Sequence, residues 1–158
     1  MISKFLGSWK LVHCKLLDID GVEQFDPFHN ASGVIMYDAN GLMAAQLMQN
    51  GHENVVKGNL FNESPEVFKK AFTNYIAYYG LYHIQEDEKI ITHSVLGALW
   101  PAMVATKLSR RFEFKDNNTM VLSTMDYETN ASEKPIMRYL TWSRVASPID
   151  SANFPFKL

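Results

Sequence analysis

The chain has little cysteine, little excess charge of either sign and no long apolar run, and each shortage excludes something. Cys14 is the one cysteine among 158 residues, so no disulfide can form within the chain. Fifteen basic and seventeen acidic side chains leave a net charge of −2. That balance disfavours nonspecific attraction to nucleic acid or to anionic membrane surfaces. No segment reaches the roughly 18 consecutive apolar residues of a membrane-spanning helix. The opening residues Met1 to Lys10 lack the apolar run and cleavage site of a signal peptide, and with the free thiol they point to the cytoplasm. His13, His29, His52, His83 and His93 form neither a His-x-His nor a His-Glu-x-x-His pattern, so no metal is expected. Asp38-Ala39-Asn40-Gly41 is a hairpin signal and not a phosphate-binding lead into a helix, and no cofactor is expected.

What remains is an ordinary globular composition, 47% apolar and 20% charged. A chain of this length makes one domain and buries about 70% of its unfolded surface without a covalent or metal staple. Residues 1–146 are read as the domain and residues 147–158 as a C-terminal tail carrying Phe154-Pro155-Phe156.

Most segments alternate with a period of two and end at turn residues. The expected strands are Trp9 to Leu17, Gly33 to Tyr37, Leu42 to Gln49, Tyr78 to Gln85, Lys89 to Leu99, Val104 to Phe114, Thr119 to Met125 and Ile136 to Val145. Val22 to Ser32 reads as loop. One helix is expected from Ser64 to about Ala77, with Ser64 as N-cap and Pro65 in the first turn. Its apolar stripe, Phe68, Ala71, Phe72, Tyr75 and Ile76, is expected to bury against one barrel opening. Eight strands joined mostly by short turns predict an all-β, up-and-down antiparallel barrel with that one helix inserted. Closure removes the sheet edges, and a barrel of this size has room for packed side chains or one small ligand.

The ordered series Gly7-Ser8-Trp9-Lys10-Leu11, Gly33 to Tyr37, Gly41-Leu42-Met43, Tyr75 to Tyr82, Thr92-His93, Pro101, Arg110, Leu122 and Trp142-Ser143-Arg144-Val145 resembles the lipocalin-like domain family of bacterial and fungal proteins. The resemblance spans about residues 5 to 146. It departs from the family at Ala105, where a glycine is expected, and at Leu108, where a polar residue is expected. It implies a calyx-like barrel that binds a small, fairly apolar molecule. It also implies that Arg144 packs over Trp9 to close one end, a cation–π contact.

Alternation gives the inward faces: Gly33, Ile35 and Tyr37; Tyr78, Gly80, Tyr82 and Ile84; Ile91, His93, Val95, Gly97 and Leu99; Arg110, Phe112 and Phe114; Leu140, Trp142 and Arg144. From these, Tyr37, Tyr78, Tyr82, His93, Arg110, Phe112 and Trp142 are the candidate ligand-binding residues. Tyr78, Tyr82, His93 and Arg110 are expected to meet in the interior. His93 is either a hydrogen-bonding or acid–base group, or an interior histidine satisfied by a neighbouring tyrosine. No carboxylate stands at recognisable triad spacing. A buried Arg110 needs an anionic ligand, a carboxylate or several carbonyls, or else reaches solvent at the mouth. Cys14 has no activating neighbours in sequence and is read as inert.

Three functions fit these residues. The first is a small-molecule-binding barrel with a hydrophobic cavity for an apolar or amphipathic ligand. The second is an enzyme using the same cavity, an isomerase or cyclase of a polyketide- or terpenoid-like carbonyl compound. The third is an interaction protein with a filled interior, whose tail docks on a partner or on a second copy to give a homodimer. The sequence leaves open whether the cavity is catalytic.

Overall fold

The structure, a computed structural model, describes residues 2–55, 58–59, 62–127 and 134–145. The C-terminal tail and its Phe-Pro-Phe run lie outside the described residues. Nine strands form one antiparallel sheet: β1 (Gly7–Asp18), β2 (Glu23–Gln24), β3 (Ser32–Tyr37), β4 (Leu42–Met48), β5 (Tyr75–Gln85), β6 (Ile90–Ala98), β7 (Lys107–Phe114), β8 (Thr119–Thr124) and β9 (Ile136–Arg144). Strands β3 to β9 follow one another as a meander, and β1 pairs with both β3 and β9, which closes eight strands into a barrel. The two-residue β2, inside the segment read as loop, is an addition on the far half of β1. Most of the faces expected to point inward are buried, with Ile35, Tyr37, Ile91, His93, Val95, Phe112 and Trp142 all nearly inaccessible. Gly97, expected to face inward with His93 and Val95, does not: a register shift between Tyr79 and Gly80 pairs it with Tyr79, and it lies against that exposed ring.

Tight turns join the strands at one end and long segments at the other. Turns 38–41, 86–89 and 115–118 lie at the tight end. Gly41 there has φ +88°, a value strained for any residue with a Cβ. The short helix α1 (Ile2–Phe5) plugs this end. Phe5 is fully buried and meets Tyr37, Phe112 and Phe114 edge-on at 4.9–5.6 Å between ring centroids. Trp9 donates its indole N–H to the Phe5 carbonyl at 2.8 Å. The Arg144 guanidinium lies 4.1 Å from the Trp9 ring centroid and donates to the Leu6, Lys4 and Asn117 carbonyls. One side chain thereby ties together α1, β1 and the β8 hairpin.

Helix α2 (Pro65–Thr73) is shorter than the periodicity predicts. Ser64 caps it, its hydroxyl accepting from the Val67 N–H at 3.4 Å. It stops at Asn74 because the next residues, Tyr75-Ile76-Ala77-Tyr78-Tyr79, pair with β4. A run of aromatic and β-branched side chains beside an open strand edge favours strand over another helical turn. Tyr75 and Ile76 therefore belong to β5. No residue of α2 is fully buried: Phe68 is 40% exposed, while Ala71 and Phe72 are half-buried, so the helix covers the mouth with only part of its stripe.

Strand β7 also begins three residues later than expected. Pro101–Met103 make a single 3-10 turn, and the Thr106 hydroxyl donates back to the Met103 carbonyl. Ala105, where a glycine was expected, has φ +63°, the left-handed conformation that glycine adopts most easily.

Candidate functional site

Between the plugged end and the long loops lies a cavity of about 560 Å³. Its walls are mostly apolar: Ile35, Ala45, Leu47, Ile76, Leu122 and Leu140 come from the strands, and Phe28 from the loop before β3. At the rim, Phe72 of α2 and Trp100 of the β6–β7 loop stand 5.6 Å apart between ring centroids. Leu108, where a polar residue was expected, adds to the apolar wall.

The candidate residues separate into two groups. Tyr78, His93, Arg110 and Trp142 line the cavity. Tyr37, Tyr82 and Phe112 lie in the packed end instead. Tyr82 packs edge-on against Tyr37 at 5.0 Å and donates its hydroxyl to the Asp38 carbonyl at 2.8 Å, while Phe112 packs on Phe5. The expected meeting of Tyr78, Tyr82, His93 and Arg110 therefore loses Tyr82 as a cavity residue. Tyr82 does sit directly opposite His93 in the ladder, as the strand lengths suggested. Sharing a register with His93 does not bring its ring to the lining, because the ring leans toward the turn and not the mouth.

His93 is the centre of the polar corner. Its Nε2 is 2.9 Å from the Tyr37 hydroxyl and its Nδ1 is 3.1 Å from the Tyr78 hydroxyl. Burial first, and the neighbouring Arg110 charge second, hold its pKa down at about 3, so the ring is neutral. Burial pushes the Tyr78 phenol up to about 12, with Arg110 acting in the opposite direction. Tyr37 is likewise raised well above its usual value by burial. Arg110 is partly buried and donates Nη1 to the Ser109 carbonyl at 2.9 Å.

Sequence reasoning missed Arg138 and Phe28 in the lining. Arg138 shares the parity of Leu140 and Trp142 on β9, so the alternation already placed it on the inward face. It donates to the fully buried Asp26 carboxylate at 2.7 Å. Cys14 donates its thiol to the same carboxylate at 3.2 Å. Burial and then Asp26 push that thiol up to about 12, which leaves it a poor nucleophile. Asp26 also accepts from the Phe28 N–H at 2.8 Å, and so fixes the loop that presents Phe28 to the cavity. No periodic signal could have found Phe28. Among the described residues, no group of three His, Cys, Asp or Glu side chains converges as a metal site would require. No described helix is long and apolar enough to cross a membrane.

A family model described as a lipocalin-like domain matches residues 6–145. The chain belongs to the lipocalin-like domain family. No curated protein matches it. Among solved structures, it is similar to a de novo designed fluorescence-activating β-barrel at 7% identity, with a TM-score of 0.41 and coverage of 91% of this chain and 96% of that one. This likeness is too distant to carry any argument about the lipocalin-like chain. Its closed barrel rests on the strand pairing described above.

Proposed function

We propose that this lipocalin-like barrel binds one small, mostly apolar molecule in its cavity. The observation that carries the reading is the cavity itself. About 560 Å³ of mostly apolar wall, with polar groups gathered at Tyr78, His93 and Arg110, is the usual make-up of a small-molecule site. The partly buried α2 and the exposed Trp100 at the rim suit a mouth that opens to admit a ligand.

The polar corner favours holding a ligand over moving its protons. A histidine with a pKa near 3 is a weak base, and a phenol near 12 is a weak acid. Both His93 nitrogens already face hydroxyl groups. Hydrogen bonds to a bound molecule are the chemistry this arrangement supports best.

The test is native mass spectrometry on protein purified gently from its own cell, followed by solvent extraction. A discrete mass adduct that extraction removes, yielding one small compound in near-stoichiometric amount, is the expected result. Protein of bare mass that also fails to take up any of a panel of apolar probes would overturn the reading.

A further inference from the structure

The hydrogen-bond directions in the polar corner can be worked out from donor and acceptor counting. A neutral imidazole has one N–H donor and one bare nitrogen acceptor. The Tyr37 hydroxyl is fully buried, and its one partner among the described residues is His93 Nε2. A buried hydroxyl proton without an acceptor is costly, so Tyr37 donates and Nε2 accepts. The His93 proton then sits on Nδ1 and is donated to the Tyr78 oxygen, 3.1 Å away. That leaves the Tyr78 proton without an acceptor among the described residues. Tyr78 lines the cavity, so the chain from Tyr37 through His93 ends in a donor available to the cavity.

Charge counting points the same way. Two guanidinium groups line the cavity. The Arg138 charge is balanced by the buried Asp26 carboxylate at 2.7 Å. Arg110 forms no ion pair among the described residues and gives one N–H to the Ser109 carbonyl. His93 is neutral, so the lining carries a single unbalanced positive charge beside the Tyr78 donor. An unpaired cation against apolar walls is stabilised most by an anion that also accepts hydrogen bonds.

We propose that the ligand is an amphipathic monoanion whose oxyanion head, of carboxylate type, is held by Arg110 and Tyr78 while its apolar body fills the cavity. This inference rests on the reading that the cavity takes a ligand.

A matched probe pair tests it. 1-Anilinonaphthalene-8-sulfonate and N-phenyl-1-naphthylamine share one fluorescent skeleton and differ in the sulfonate. The wild-type protein should bind the sulfonate about tenfold or more tightly than the neutral amine. Arg110→Met should weaken the sulfonate by about tenfold or more and leave the amine within about threefold, and Arg110→Lys should recover part of the loss. Tyr78→Phe should weaken the sulfonate several-fold and spare the amine. Dodecanoate should displace the sulfonate probe more effectively than dodecan-1-ol does. Equal binding of both probes, or an Arg110→Met variant that loses both or neither, overturns the anion inference while ligand binding stands. Failure of the wild-type protein to bind either probe overturns the binding reading, and this inference with it.

Discussion

The two ends of the barrel are made from the same strands yet solve opposite problems. At the plugged end, Phe5, Trp9, Tyr37, Phe112 and Phe114 interlock, and Arg144 joins three chain segments over Trp9. At the mouth, the only helix longer than one turn among the described residues fully buries none of its side chains, and Trp100 is half exposed. Stability is concentrated where the turns are tight, and room for a ligand is left where the loops are long. The polar corner marks the boundary: Tyr37 belongs to the packed end, Tyr78 to the cavity, and His93 bonds to both.

The largest test of this contrast is Phe5→Ala. It removes a fully buried ring from the centre of the plug and should cost about 3–5 kcal/mol, measured by urea unfolding. A loss below about 1 kcal/mol would mean that the plug is not the stable end.

The boundary is next. His93 has a folded-state pKa of about 3 against 6.5 for the ordinary side chain. Below pH 6.5 the unfolded chain takes up a proton that the folded chain refuses. The contribution of His93 is thus fully present above pH 6.5 and is lost as the pH falls toward 3. It should amount to on the order of 3 kcal/mol between pH 7 and pH 4. His93→Gln keeps a donor and an acceptor but does not titrate, so its stability should fall less over that range. Identical slopes for the two proteins would show that His93 is not held neutral by burial.

At the mouth the effects should be small. Phe68→Ala, at a ring 40% exposed, should cost less than about 1 kcal/mol, well below the Phe5 substitution. A cost matching that of Phe5 would erase the difference between the ends. Smaller still is Ala105→Gly, which relieves a left-handed residue at φ +63° and should raise stability by roughly 0.5–1 kcal/mol. A destabilised variant would indicate that the alanine methyl packs favourably in that turn.

The alternating strands made the barrel legible in sequence. The strands near Gly33, Leu42 and Thr119 end at turn residues that permit little else. The helix end was not legible, because Tyr75 and Ile76 continue a helical spacing while also suiting a strand, and pairing with β4 decides between them. For the site, parity identified the inward faces except past the register shift at Tyr79 and Gly80, which turns Gly97 outward, but it could not give height along the barrel axis. Phe112 and Tyr37 therefore looked equivalent to Tyr78, although they sit below the cavity. Height depends on stagger between strands and on which end is plugged. The plug itself, α1, is four residues long and leaves almost no periodic trace.

The central claim is that the space above the plug is a site for a small molecule and not a packing defect. Leu108→Trp tests it most directly, because Leu108 lines the cavity and a larger ring there occupies the space. The measurement is a fluorescence titration with N-phenyl-1-naphthylamine, with the melting midpoint followed in parallel. Expected is saturable one-to-one binding by the wild-type protein and its loss in Leu108→Trp at a similar midpoint. Unchanged binding in a folded Leu108→Trp variant would contradict the claim.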